Sequence, residues 1–195
     1  MFIYIGGING AGKTTLIEGV VKMASKKALY LCDAGVDQIL CDMAGVPSLR
    51  EWRILPEETR NTIRPKMEIM IRDIDARNPE AIRLRDVHFV FSRANGERGL
   101  RAVQPWDKEI LVGIAVAIAN PAEIIRRRMK DITLRPDRKC DIELVAEEQN
   151  MELTVAGQQS VEIGVPFRIV ENETPNVDKS CEELFNFCIS VATAK

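Results

Sequence analysis

The chain begins Met1-Phe2-Ile3-Tyr4-Ile5-Gly6-Gly7-Ile8-Asn9-Gly10-Ala11-Gly12-Lys13-Thr14-Thr15, and this stretch decides how the rest is read. Residues 1–5 are apolar or aromatic, as in a strand buried on both faces. Gly7 to Thr14 fit G-x-x-x-x-G-K-[ST] with every fixed position filled. Leu16, Val20, Met23 and Ala24 then recur at helical spacing. A strand, a glycine-rich turn and a helix form the setting in which this pattern cradles phosphates. Backbone N–H groups turn inward, glycine leaves them room, and the helix N-terminus adds a positive dipole end. Gly7, Asn9, Gly10, Ala11, Gly12, Lys13, Thr14 and Thr15 are therefore the expected nucleotide-binding residues. Lys13 is expected to reach the β- and γ-phosphates of ATP, and the Thr14 hydroxyl to ligate Mg2+.

Working outward, 195 residues suit one domain. Hydrophobic residues make up 46% and charged residues 29%, which leaves enough apolar side chain for a buried core. The net charge of −2 gives no electrostatic reason to expect nucleic acid or a membrane surface as partner, so small-molecule nucleotides are expected instead. The apolar start is short and leads directly into the glycine-rich turn, so no leader is expected. No stretch approaches the ~20 apolar residues of a membrane span. Cys32, Cys41, Cys140, Cys181 and Cys188 are odd in number and form no C-x-x-C. They read as reduced thiols of a cytoplasmic protein rather than a metal set.

Farther along, Ala28 to Cys32 reads as a second strand ending at Asp33, followed by a short helix from Val36 to Ala44 closed by Gly45. Pro56, Glu57 and Glu58 start a long helix with an apolar stripe at Ile63, Met67, Met70, Ile71 and Ile74. Val87-His88-Phe89-Val90-Phe91 reads as the third strand, with His88 structural, and Val112 to Ala119 as a fourth, central one. Asn120 caps the next helix and Pro121 opens it, with Ile125, Met129 and Ile132 on its apolar face. A helix over 142–162, a strand over 167–170 and a last helix with Cys181, Leu184, Phe185, Cys188 and Val191 on one face complete the chain. Strands alternating with helices predict an α/β fold, a three-layer α/β/α sandwich around a five-stranded, mostly parallel sheet. Ligands then sit beyond the carboxyl ends of the strands.

Between residues 126 and 139, Arg126, Arg127, Arg128, Lys130, Arg135, Arg138 and Lys139 are opposed only by Asp131 and Asp137. A solvated helix face is one reading. A flap of arginines over the phosphates is the other, because phosphoryl transfer is catalysed mainly by positioning and charge neutralisation. Arg128 lies one step from the apolar stripe and is expected to be held against the body, with Arg127 pointing away. Arg135 and Arg138 are expected on the flap.

The chain resembles the nucleoside monophosphate kinases, a P-loop family, and within them the archaeal type of adenylate kinase. The likeness lies in Gly7 to Thr15, in Trp52-Arg53-Ile54-Leu55-Pro56-Glu57, in Asn120-Pro121-Ala122-Glu123-Ile124-Ile125 followed by Arg127-Arg128-Met129-Lys130-Asp131, and in Gln149, Met151, Ala156, Gly164 and Glu171-Asn172. The resemblance implies one P-loop kinase domain over 1–195, with an acceptor-binding helical region over 34–80 and an arginine-rich lid over 126–141. It implies that Arg53 binds the acceptor phosphate, that Arg128, Arg135 and Arg138 clamp the transferred group, and that Asn172 lies near the adenine. Asp33 and Arg93 are expected on the acceptor side, and a homo-oligomer fits the family habit. Three departures are expected. Phe91 ends the third strand where the family has a magnesium-holding aspartate, with Asp86 at the strand's opposite end. Arg93 replaces the family's histidine. Leu153 replaces an arginine on the helix after the lid.

The reading is thus an ATP-dependent nucleoside monophosphate kinase. Two alternatives stand beside it: a nucleotide-binding module of regulatory role, favoured by Phe91, and a P-loop kinase for a small non-nucleotide acceptor. A GTPase switch is disfavoured because no N-K-x-D occurs.

Overall fold

The computed structural model describes residues 1–27, 31–33, 35–92, 98–100, 107–130 and 140–193. In chain order the elements are β1 (Phe2–Gly6), α1 (Lys13–Lys26), β2 (Leu31–Asp33), α2 (Val36–Ala44), α3 (Leu49–Ile54), α4 (Glu57–Arg77), β3 (Ile82–Asp86), β4 (Val90–Ser92), β5 (Arg98–Leu100), α5 (Asp107–Ile110), β6 (Leu111–Ile118), α6 (Pro121–Lys130), α7 (Ile142–Ile163), β7 (Phe167–Glu171) and α8 (Val177–Thr193). Five strands make one sheet in the order β2-β3-β1-β6-β7, with parallel neighbours throughout.

The alternation of β1 divides the core in two. Ile3 and Ile5 face the layer of α1 and α8, packing with Leu16, Val20, Leu184 and Cys188. Phe2 and Tyr4 face the other layer, packing with Met67 and Ile71 of α4 and Val155 and Ala156 of α7. A sheet covered on both faces needs strands apolar on both faces, which is why β1 and β6 read as unbroken apolar runs. The α/β/α sandwich expected from the alternation of elements is therefore the fold observed.

The third strand differs from expectation. It is Ile82-Arg83-Leu84-Arg85-Asp86, paired with Phe2 to Ile5. Val87 to Phe91 does not extend it as a sheet strand: Val90 and Phe91 belong to a separate antiparallel hairpin of β4 with β5. The physical reason lies in α4. Two arginines make residues 82–86 look polar, but Arg83 stands 3.4 Å from Asp75 and Arg85 2.5 Å from Glu68. Neutralised from α4, both arginines are buried within the strand. Phe89 leaves the sheet and fills the space beneath the glycine-rich turn, so close to Gly6 that a Cβ there would lie 2.6 Å from its ring.

Other boundaries shift less. Residues 28–30 lie outside the described part, and β2 is observed over Leu31–Asp33. Short helix α3, capped by Ser48, precedes Pro56. On α4, Met67 and Ile71 are buried as expected, whereas Met70 is exposed. On α6 the inward line is Ile124 and Arg128, with Met129 exposed and Ile132 outside the described residues. The five cysteines are free. Among the described residues, no helix is long and apolar enough to cross a membrane.

Candidate nucleotide-binding site

The glycine-rich turn leaves β1 at the carboxyl edge of the sheet and closes as α1 begins. Gly12 adopts φ 88° as the residue before Lys13, and a Cβ there would lie 2.1 Å from Asn172 Nδ2. Gly7 adopts φ 138°, with Ala117 O 2.6 Å from where its Cβ would stand. Neither position admits a side chain, so the backbone closes tightly around a small concavity. Asn9, Thr14 and Thr15 are exposed at its rim, Ala11 is buried, and Gly10 lies over Ile124 and Arg128 of α6.

Lys13 is buried to 6% exposure. Its ammonium donates to Gly7 O at 2.6 Å and to Ile8 O at 3.4 Å, arching back over the loop. It also faces Asp86 Oδ1 at 3.5 Å. Asp86 ends β3, level with Ile5 of the neighbouring β1. This places an aspartate at the carboxyl end of the third strand, where the sequence reading put Phe91; His88, two residues on, then follows that strand in place of Arg93. The Asp86 carboxyl is pushed above the ordinary carboxylate range, first by the surrounding protein, then by Asp37 and Asp33, while Lys13 pulls it back. Asp33, at the end of β2, is thus within electrostatic reach of the site, and it accepts from Gly35 N–H at 3.0 Å.

Helix α6 grips the outside of the loop. Arg128, 3% exposed, donates from Nε to Asn9 O at 2.8 Å and pairs with Glu148 of α7 at 3.1 Å. Arg127 does not point away. It donates to Gly10 O and Ala11 O at 3.3 Å and to Asn172 O at 2.7 Å, and it pairs with Glu123 at 2.8 Å. Asn172 is 2% exposed and donates from Nδ2 to Ala11 O at 2.8 Å, which places it against the loop backbone. The side chain of Arg53, and Arg93, Arg135 and Arg138 entirely, lie outside the described residues.

Helix α7 supplies Glu152, which pattern reading missed, and Gln149, one of the residues that carried the resemblance. Glu152 is fully buried, and three backbone N–H groups converge on it: Gly7 at 2.9 Å, Phe89 at 2.9 Å and Val90 at 2.8 Å. One carboxylate therefore joins the first glycine of the loop to the segment that follows Asp86. Gln149 makes a paired amide contact with Ala119, accepting at 3.0 Å and donating at 3.1 Å, at the end of β6. The available signal was Glu152 itself, a charge set within the inward line Val145, Val155 and Ala156.

The donor set suits a triphosphate with a hard divalent cation. A cradle without side chains, a lysine inside it, an exposed threonine hydroxyl next in sequence and a carboxylate facing that lysine provide the charge and the oxygen ligands such a group requires. Among the described residues no cluster of three His, Cys, Asp or Glu forms a metal cage.

No protein-family model matches the chain. Among solved structures it is similar to shikimate kinase from Acinetobacter baumannii in complex with shikimate, at 16% identity and a TM-score of 0.56, over 97% of this chain and 93% of that one. It is also similar to the protein APE1195, at 12% identity and a TM-score of 0.53, over 98% and 96% of the two chains. The likeness is one of fold: the chain shares with these structures an α/β architecture, here a five-stranded parallel sheet flanked by helices.

Proposed function

We propose that the protein is an ATP-dependent kinase that transfers the γ-phosphoryl group to a nucleoside monophosphate, in the manner of an adenylate kinase. The observation that carries this reading is the pair of Lys13, which opens α1, and Asp86, which ends β3 beside β1, 3.5 Å apart at the mouth of the P-loop. Lys13 would exchange its loop carbonyls for the β- and γ-phosphates. Thr14 and Asp86 would hold Mg2+, which neutralises charge on the phosphates when bound. Arg127 and Arg128 brace the loop from behind, so its N–H groups are preorganised for anions. Attack by an acceptor phosphate needs no protein base. The regulatory-module reading was favoured by Phe91 ending the third strand; Asp86 ends it instead, which removes that one argument for it.

A kinase for a small non-nucleotide acceptor is the second reading, favoured by likeness over 97% of the chain to a shikimate kinase. The test is transfer of label from γ-labelled ATP with Mg2+ to each monophosphate and to cyclic polyols in turn, with a no-acceptor control and Lys13→Ala. Label on AMP, lost in Lys13→Ala, supports the adenylate kinase reading. Label on a polyol alone supports the second, and ATP binding without transfer to any acceptor refutes the monophosphate kinase reading and leaves a nucleotide-binding module or a kinase for an untested small molecule.

A further inference from the structure

Two pieces of chain meet at the mouth of the site: the glycine-rich turn from Gly7 to Lys13, and the segment that leaves β3 from Asp86 to Val90. Two side chains tie them together. Lys13 donates to Gly7 O at 2.6 Å and faces Asp86 Oδ1 at 3.5 Å, where the Asp86 side chain is 42% exposed. Glu152, fully buried, accepts from Gly7 N–H and Phe89 N–H at 2.9 Å with one oxygen and from Val90 N–H at 2.8 Å with the other. The backbone of Gly7 is therefore held at both ends, its carbonyl by the lysine and its N–H by the glutamate.

The two ties respond differently to a nucleotide. Lys13 lies in the phosphate cradle, so the charge of a triphosphate competes directly for its ammonium. Glu152 holds three backbone donors in a site closed to solvent, so an incoming phosphate does not compete for it. The position of Asp86 is set by the chain just after it. Val87 N–H donates to Ile5 O at 3.1 Å, which continues the pairing with β1. Only Val87 and His88 separate Asp86 from the first amide that Glu152 holds. That span is at most about 10 Å of chain, short enough that a shift of the amide is carried to the Asp86 carboxyl.

We propose that Glu152 is a positioning residue. Acting through the backbone of Gly7, Phe89 and Val90, it keeps Asp86 in register with the glycine-rich turn after Lys13 has turned to the phosphates. Asp86 and Thr14 then stay together as oxygen ligands for the metal of the bound triphosphate, with Glu152 as the outer partner that orients them. The proposal rests on the kinase reading for its effect on transfer, but not for its effect on metal-dependent binding.

The test is a double-mutant cycle on the full chain: wild type, Glu152→Gln, Asp86→Asn and the pair. Calorimetry reads the affinity for the β,γ-imido analogue of ATP with and without Mg2+, and label transfer from γ-labelled ATP is followed beside it. Glu152→Gln keeps the size of the side chain but sets an NH2 against the Val90 N–H. It is expected to leave affinity for the metal-free analogue within about twofold of wild type and to reduce the gain from Mg2+ about tenfold, the usual effect of losing an outer partner of a metal ligand. Asp86→Asn is expected to lose the same gain, and the double variant no more than Asp86→Asn alone, because one residue acts through the other. A residue that only stabilised the fold would weaken both affinities alike and add its loss to that of Asp86→Asn. Glu152→Asp, which draws the carboxylate back by one methylene, is carried through the same cycle and keeps the proposal testable where Glu152→Gln does not fold. Additive losses, a Glu152→Gln that gains from Mg2+ as wild type does, or a wild type that gains nothing from Mg2+ overturns the positioning role. Non-additive loss of the Mg2+ gain in a protein that transfers no label would leave that role standing and remove the kinase reading alone.

Discussion

Lys13, the first residue of α1, and Asp86, the last of β3, face each other at 3.5 Å, although 73 residues of sequence separate them. The contact is a product of strand pairing: β3 lies beside β1 with Asp86 level with Ile5, so the strand's last side chain meets the lysine of the loop that β1 feeds. Asp86→Asn is expected to lower turnover about 10²–10³-fold, the usual cost of removing one charge-organising group, with ATP analogue affinity changed far less. The pH dependence follows from the raised Asp86 pKa. In kcat/KM, which reports the free enzyme, activity falls on the acid side as Asp86 protonates, at a pH above the ordinary carboxylate value, and Asp86→Asn loses that limb. Stability runs the other way. A carboxyl with a raised folded pKa holds its proton more tightly when folded, so it destabilises the fold as pH rises from the unfolded pKa through the folded one. Asp86→Asn is therefore expected to melt at or above the wild-type temperature at pH 7. A lower melting temperature together with an unshifted pH profile would remove Asp86 from the site.

Gly12 and Asn172 make a second long-range contact. Gly12→Ala places a Cβ 2.1 Å from Asn172 Nδ2 and forces alanine to φ 88°. The backbone alone costs about 1–3 kcal/mol, and displacing the amide from Ala11 O adds to it. In an Asn172→Ala background the collision is gone and the strain is not. Urea unfolding of the four proteins is expected to show a smaller Gly12→Ala penalty in that background. Equal penalties would mean that the amide moves aside at no cost.

Glu152 holds three buried N–H groups, and removing it leaves all three without an acceptor. Glu152→Ala is expected to cost on the order of 3–5 kcal/mol by denaturant unfolding, at about 1–3 kcal/mol for each stranded donor less relaxation. Glu152→Gln keeps one oxygen for Gly7 and Phe89 but turns an NH2 toward the Val90 N–H. It is expected to fall between the wild type and Glu152→Ala. A near-neutral Glu152→Ala would show that water replaces the carboxylate.

Glu123 ties α6 to the segment after β7, accepting from Arg126 at 2.6 Å, Arg127 at 2.8 Å and Thr174 at 2.9 Å. The Arg126 bond first, then Thr174 and Arg127, lower its pKa to about 2. A depressed carboxyl pKa contributes stability above the unfolded value near 4.5 that is lost as pH falls toward 2. Wild type and Glu123→Gln are expected to differ in melting temperature at pH 6 and to converge by about pH 2. The difference is small because the ion pairs reach solvent. A constant difference across that range would show that the carboxylate's charge plays no part.

What could be read without coordinates followed from local rules. The P-loop, its flanking strand and helix, the Val36–Ala44 helix closed by Gly45, the Pro121 helix start and the buried face of α8 depend on residues within a turn or two of each other. The inward position of Arg128 followed from helical spacing as well, but Arg127 did not, because its partners are loop carbonyls and Asn172, which no spacing rule reveals.

By itself, then, the sequence determined the alternation of strands and helices, the phosphate-binding loop and the apolar strands β1 and β6. Tertiary structure alone decided which strand ends in the aspartate that faces Lys13. Residues 82–86 become a central strand only because Asp75 and Glu68 reach across from α4 to neutralise Arg83 and Arg85. Val87 to Phe91, the more apolar run, leaves the sheet because Glu152 of α7 captures its N–H groups. Hydrophobic pattern measures what a side chain would gain on burial if nothing answered its charge. A partner brought from elsewhere in the chain changes that balance, and no local window contains the partner.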